Sequence, residues 1–234
     1  MSLVFIISAP SGSGKSTLVN EIRNSVDRLD FSVSYTTRKP RGSETNGREY
    51  YYIDRDEFER MIEQGAFLEY ADVFGNYYGT ARHFLREAEL RGYDLLLDID
   101  VQGASQLQRS LPQAISIFIL PPSKQELEKR LRNRSAAENV PNEIIQRRLR
   151  TASHEIEKYE KYDYILVNAN LEDSARQLRA IIVSERLRAS GERTYTPEEQ
   201  QVFHLADQCR LAAMRDSIQS IIATFTPESS SVAQ

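Results

Sequence analysis

The stretch Leu3-Val4-Phe5-Ile6-Ile7-Ser8-Ala9-Pro10-Ser11-Gly12-Ser13-Gly14-Lys15-Ser16-Thr17 decides how the rest of the chain is read. Its first five residues are a continuous apolar run rich in β-branched side chains, the pattern of a strand buried on both faces of a parallel sheet. A Gly/Ser-rich turn follows, and from Lys15 onward Leu18, Val19, Ile22 and Val26 recur at helical spacing. Strand, glycine turn and helix open an α/β unit. Residues 9–16 match the phosphate-loop pattern G-x-x-x-x-G-K-[ST] except at the first position, where Ala9, still small, stands for glycine. The chemistry explains the pattern. Glycines let backbone N–H groups close on phosphates, and the helix N-terminus adds partial positive charge. Lys15 brings a full charge to the β/γ-phosphates, and the Ser16 hydroxyl can reach Mg2+. A Gly/Ser-rich turn with a stray lysine would need neither the strand before nor the amphipathic helix after.

Composition narrows the class. The chain has 234 residues, 40% apolar and 27% charged, the balance of a soluble globular protein of one or two domains. Thirty basic against 34 acidic side chains leave a net charge of −4, which argues against bulk nucleic-acid binding. The lone Cys209 excludes an intrachain disulfide and fits a reducing compartment. His83, His154 and His204 form no zinc signature with it. Leu3–Ile7 is too short for a membrane span of about 20 residues, and no basic segment precedes it as in a signal peptide. The expectation is a cytoplasmic protein with no membrane partner.

Further along, Leu95-Leu96-Leu97-Asp98-Ile99-Asp100, Ile115–Leu120 and Tyr164–Val167 return to the buried-strand pattern. Helical segments lie between and after them, one opened by Ser123-x-x-Glu126 at capping-box spacing. Alternating strands and helices predict an α/β fold, a parallel sheet flanked by helices. From Phe31 to about Arg91 the chain is rich in Tyr, Arg and Gly. It reads as an inserted module with a short strand at Tyr50–Ile53, a helix capped by Asp54, and a turn over Gly75-Asn76-Tyr77-Tyr78-Gly79. Thr196-Pro197-Glu198-Glu199 reads as a helix start, with the helix running to about Thr224 and a disordered Ser-rich tail at 227–234.

Asp98 and Asp100 stand at the end of a buried strand, where period-two alternation puts both carboxylates on one face. A hydrophobic strand ending in Asp beside a phosphate loop resembles the element that helps hold Mg2+. The alternative is one aspartate capping the next helix and the other pairing a surface lysine.

The middle of the chain is more specific. Ser34-Tyr35-Thr36-Thr37-Arg38-Lys39-Pro40-Arg41 is followed by Gly47-Arg48-Glu49-Tyr50-Tyr51-Tyr52, by Gly65-Ala66-Phe67-Leu68-Glu69-Tyr70-Ala71, by Gly75-Asn76-Tyr77-Tyr78-Gly79-Thr80 and by Leu97-Asp98-Ile99-Asp100-Val101-Gln102-Gly103. With the phosphate loop, this ordered series resembles the guanylate kinase family, over about four-fifths of the chain, from Leu3 to Ala189. The resemblance implies a P-loop kinase fold and transfer of the ATP γ-phosphoryl group to GMP with Mg2+, a step of purine nucleotide metabolism, with dGMP accepted as well. It implies a core over 1–32, 94–128 and 151–189, a GMP-binding module over 33–93 and an Arg-rich lid over 129–150. A C-terminal helical extension over 190–234 lies beyond the family's usual end.

Residue roles follow from the same resemblance. Arg38, Arg41, Tyr50 and Tyr78 would hold the GMP phosphate, and Ser34, Glu69, Thr80 and Asp100 would read guanine. ATP would lie along Ala9, Pro10, Ser11, Gly12, Ser13, Gly14, Lys15, Ser16 and Thr17 and at Asn168. Lys15, Arg38 and the lid residues Arg130, Arg134 and Arg148 would be catalytic, with Ser16 and Asp98 toward Mg2+. The chemistry agrees. Guanine presents N1–H and the 2-amino group side by side, and one carboxylate accepts both, whereas adenine N1 would offer it a lone pair. Arginine forks and tyrosine hydroxyls suit a phosphate dianion.

Some positions depart from the family's pattern. Asn133 and Ser135 stand for two lid glycines, and Ala169 for an aspartate near the adenine end. Between 196 and 224 the apolar stripes read first as a helix packed on its own core and second as an oligomer-forming helix. Competing functions are a catalytically silent guanylate-kinase-like binding domain, a kinase for another monophosphate, and a G-protein-like switch. Lys15, Ser16 and the arginines argue against the first, Glu69 with Ser34 and Thr80 against the second, and the missing N-K-x-D motif against the third.

Overall fold

Apolar residues of the first strand divide between two cores. The computed structural model describes residues 2–138, 141–192 and 194–226, with side chains as far as residue 133 in the first segment. The tail expected to be disordered and the side chain of Arg134 lie outside the described residues. Strand β1 (Val4–Ser8) leads through the phosphate loop into α1 (Lys15–Arg23). β2 (Leu29–Phe31) closes the first unit. The inserted segment carries β3 (Tyr35–Thr36), β4 (Tyr51–Tyr52), α2 (Arg55–Glu63), β5 (Phe67–Val73), β6 (Asn76–Ala81) and α3 (Arg82–Arg91). The chain returns through β7 (Asp94–Asp98), α4 (Val101–Ser110), β8 (Ile115–Leu120), α5 (Lys124–Glu138), α6 (Asn142–Ile156) and β9 (Tyr164–Val167) to the long α7 (Leu171–Ser190). It ends in α8 (Pro197–Asp207), α9 (Leu211–Met214) and α10 (Gln219–Ala223).

Among the described residues the main sheet has five parallel strands in the order β2-β7-β1-β8-β9. Strand alternation sorts its side chains. Val4, Ile6, Leu95, Leu97, Phe118, Leu120 and Ile165 face α4, α5 and α6. Phe5, Ile7, Leu96, Ile117, Ile119 and Leu166 face α1, α7 and α8. Both faces are covered, as the continuous apolar runs predict.

The inserted segment forms its own mixed sheet, β4-β3-β6-β5, over a separate apolar cluster of Phe58, Phe67 and Ala81. Asp54 caps α2 as expected, accepting the Glu57 N–H at 2.8 Å. The expected turn over residues 75–79 is instead strand β6 from Asn76, and only Phe74-Gly75 turn. Gly79 serves close packing there: a Cβ on it would stand 2.9 Å from the Phe67 ring and 3.0 Å from that of Phe58.

The single helix expected from 196 to 224 is three short ones. The Thr196 capping box starts α8 as predicted. After Asp207 the chain runs beside the edge strand, where Ile165 N–H donates to the Cys209 carbonyl at 2.8 Å and Leu211 N–H to the Asp163 carbonyl at 2.9 Å. It thereby crosses from one face of the sheet to the other, which one straight helix could not do. Ala206 and Cys209 join the α7 side, Ile218 and Phe225 the α5 side. The stripes are thus packed on the chain's own core. Burial pushes the Cys209 thiol up to about 11, which suits an inert packed side chain.

Candidate active site

The phosphate loop lies at the carboxyl end of β1, where parallel sheets place ligands. Gly14 takes φ +88° and α1 begins at Lys15. Lys15 Nζ donates to the Ile99 carbonyl at 2.8 Å and is ion-paired with Asp98 at the end of β7. Ala9, Pro10 and Ser13 are buried, whereas Ser11, Ser16 and Thr17 are exposed. The Ser13 hydroxyl is buried without a hydrogen-bond partner, an orphaned group in the loop that would meet a phosphate. Among the described residues no group of three or more His, Cys, Asp and Glu is arranged to hold a metal by itself. Mg2+ in such sites takes one or two protein oxygens plus substrate phosphates and water, and the Ser16 hydroxyl and the Asp98 carboxylate are oxygen donors of that kind.

Strand alternation does not carry through to Asp100, because β7 ends at Asp98. Asp100 is the N-cap of α4, its Oδ1 accepting the N–H of Gln102 at 2.6 Å and of Gly103 at 3.2 Å. Of the two aspartates, one therefore caps a helix and the other pairs with the loop lysine.

Glu69 sits on the buried face of β5 with Phe67 and Ala71, and only 4% of its surface is exposed. Opposite it on β6, Thr80 donates to Glu69 Oε1 at 2.7 Å. α4 passes directly over the carboxylate at Gly103, where any Cβ would run into it. Burial, opposed by the Thr80 hydrogen bond and aided by the nearby Asp100, raises the Glu69 pKa to about 7. Ser34, 8% exposed, precedes β3 in the same module.

Arg38 forms the centre of a second cluster. Its Nε donates to the Tyr78 hydroxyl at 3.2 Å, and its guanidinium lies 5.3 Å from the Tyr50 ring centroid. Tyr50 meets Tyr78 edge-on at 5.7 Å. Burial, then the charges of Asp98 and Tyr78, push the Tyr50 hydroxyl above its ordinary range. Asp98 thus links this cluster electrostatically to the phosphate loop. The Arg41 side chain is exposed.

Two acids were missed in the sequence. Glu44 accepts from Arg38 Nη1 at 2.9 Å and Nη2 at 3.1 Å, from the Arg41 N–H at 2.8 Å and from the Tyr52 hydroxyl at 2.8 Å. Burial opposes its charge, but these donors hold its pKa below the usual carboxylate value. It was legible in principle as the lone acid among Arg38, Lys39, Arg41 and Arg48. Glu155, on α6, has a pKa raised to about 7 by burial and by Asp100, countered by Lys15 and the Ser11 N–H.

α5 lays Arg130 across the loop. Its Nη2 donates to the Asn168 carbonyl at 3.0 Å and its Nη1 to the Ser13 carbonyl at 3.4 Å, while its Nε donates to Glu126 at 3.0 Å. Asn168, expected to face adenine, turns its amide onto the Ser13 carbonyl at 2.7 Å. Arg148 is half-buried on α6.

The chain is similar to proteins of one family. A family model described as guanylate kinase matches residues 1–185. The guanylate kinase of Koribacter versatilis (strain Ellin345) is 54% identical over 222 residues, 95% of each chain, and so takes in most of the extension. That of Escherichia coli (strain K12) is 45% identical over 192 residues, 81% of this chain and 91% of its own. The crystal structure of guanylate kinase from Anaplasma phagocytophilum superposes with a TM-score of 0.64 at 36% identity, covering 82% of this chain and 88% of that one. With the buried carboxylate, the arginine–tyrosine cluster and the phosphate loop converging on the carboxyl end of one parallel sheet, the chain belongs to the guanylate kinase family.

Proposed function

We propose that this family member transfers the γ-phosphoryl group of ATP to GMP, giving ADP and GDP. dGMP is accepted too, because the residues assigned to the acceptor read base and phosphate. The observation that carries the reading is Glu69, a buried carboxylate that Thr80 and Gly103 keep at the floor of the inserted module. Its two oxygens suit the N1–H and 2-amino donors of guanine; Ser34 is assigned to O6 and Asp100 to the base edge beside it, and Thr80, which gives its one hydroxyl proton to Glu69, would turn to O6 only by releasing that carboxylate.

The acceptor is a phosphate oxygen, anionic already at neutral pH, so no general base is required. The barrier is repulsion and misalignment between two anions. Arg38, Arg41, Tyr50 and Tyr78 fix the GMP phosphate, and Glu44 holds the Arg38 guanidinium in place. The loop from Ala9 to Thr17 cradles the ATP phosphates, and Asn168 with Arg130 shapes the adenine end. Lys15, Arg130, Arg134 and Arg148 neutralise charge as the phosphoryl group passes in line. Ser16 and Asp98 would hold Mg2+, which would supply further charge neutralisation for the transferring phosphoryl group.

The working parts are a core over 1–32, 94–128 and 151–189, a GMP module over 33–93, a lid over 129–150 and an extension from 190. Closure of module and lid excludes water and limits wasteful ATP hydrolysis. A cytoplasmic location suits these substrates, and no helix among the described residues is long and apolar enough to cross a membrane.

Lys15→Met is expected to lower kcat by several orders of magnitude. Glu69→Ala is expected chiefly to raise the KM for GMP and to relax discrimination against AMP. Initial-rate assays on both variants test the reading. Near-normal turnover by Lys15→Met, or unchanged base choice in Glu69→Ala, would contradict it.

A further inference from the structure

The hairpin between β5 and β6 carries a residue its backbone disfavours. Phe74 (φ +55°) and Gly75 (φ +84°) form the two-residue loop that Val73 opposite Asn76 closes. Positive φ at both positions is the type I′ turn, whose first place favours Asn, Asp or Gly because a bulky side chain is strained there. The Asp72 carboxylate accepts the Gly75 N–H at 2.7 Å and holds the turn in this form. The module's apolar cluster does not compensate for Phe74, which is 42% exposed and stands apart from Phe58, Phe67 and Ala81. Among the described residues, α6 brings the Arg147 guanidinium to 5.0 Å from the ring centroid. Strained backbone that presents an aromatic ring to solvent points to a use for that ring outside its own module. Arg148, the lid arginine assigned to the transferring phosphates, is the next residue on α6.

We propose that Phe74 and Arg147 are a positioning pair that ties the GMP module to the lid helix, so that seating GMP sets Arg148 against the phosphates and each nucleotide strengthens binding of the other. The inference rests on the substrate assignment above. Such coupling is reciprocal by linkage, and an exposed cation–π contact is worth about two- to fivefold in an equilibrium constant. Neither residue is assigned to touch a substrate, so the pair acts through the position of α6.

Calorimetric titration of GMP, with and without Mg2+ and adenylyl imidodiphosphate, measures the coupling directly. Phe74→Asn and Arg147→Ala should each reduce it by about two- to fivefold, and the double variant should reduce it no further. Phe74→Trp should keep it. Asn suits the turn better than Phe, so Phe74→Asn should melt no lower than wild type even as coupling falls, which a merely structural role for the ring would not produce. Wild-type coupling in both single variants, or no coupling in wild type, would overturn the pair's role while leaving the substrates assigned. Wild-type protein that fails to bind GMP at all would overturn both.

Discussion

Glu69 shows how a residue's surroundings set its chemistry. A carboxylate on the inward face of a strand is costly unless its oxygens are partnered, and Thr80 supplies one donor where guanine would supply two. With its pKa at about 7 in the free protein, Glu69 is partly protonated at neutral pH. Accepting two N–H groups requires the ionised form, so GMP bound as proposed is expected to lower this pKa and expel a proton. The sign follows: affinity rises as pH climbs through 7 and levels off above it, and at pH 6 it is about tenfold below the plateau. The GMP phosphate also titrates near pH 6, so Glu69→Gln provides the reference. Calorimetry at pH 7 in buffers of different ionisation enthalpy should show more proton release in wild type than in Glu69→Gln. Equal release would mean that Glu69 does not meet the base.

At the scale of elements, the strand runs and the loop–helix junction were legible because parallel strands buried on both faces leave continuous apolar runs. The Asp54 and Thr196 caps were legible because their spacing has a local cause. What escaped reading depends on contacts distant in sequence. Glu44 looks like a surface acid until Arg38, Arg41 and Tyr52 converge on it. Residues 75–79 look like a turn because Gly79 is a breaker in isolation, whereas the rings of Phe58 and Phe67 require it in a strand. The extension looks like one helix because its stripes keep helical spacing, but Cys209 and Ile218 belong to opposite faces of the sheet. Lying along β9, the segment also covers an edge that would otherwise be open to pairing, and Thr224 Oγ1 accepts the Lys124 N–H at the start of α5 at 3.1 Å. Ile218, fully buried, anchors this arrangement. Ile218→Ala should cost about 2–5 kcal/mol, a fall in Tm of roughly 5–15 °C, with GMP turnover at 25 °C retained. An unchanged melting curve would mean that the extension is not docked as described.

In the molecule as a whole, the two proposed anion sites lie together at the carboxyl end of the main sheet. Asp98 pairs with Lys15 and raises the Tyr50 pKa, and Asp100 and Lys15 both act on Glu69. The proposed donor and acceptor sites are therefore neighbours in charge, as direct transfer between two phosphates requires. The measurement that tests this most directly is ADP production from ATP and Mg2+ with GMP, dGMP, AMP, CMP, UMP or no acceptor. Fast turnover confined to GMP and dGMP is the predicted result. Turnover with a different monophosphate, or equal ADP production with no acceptor, would contradict it.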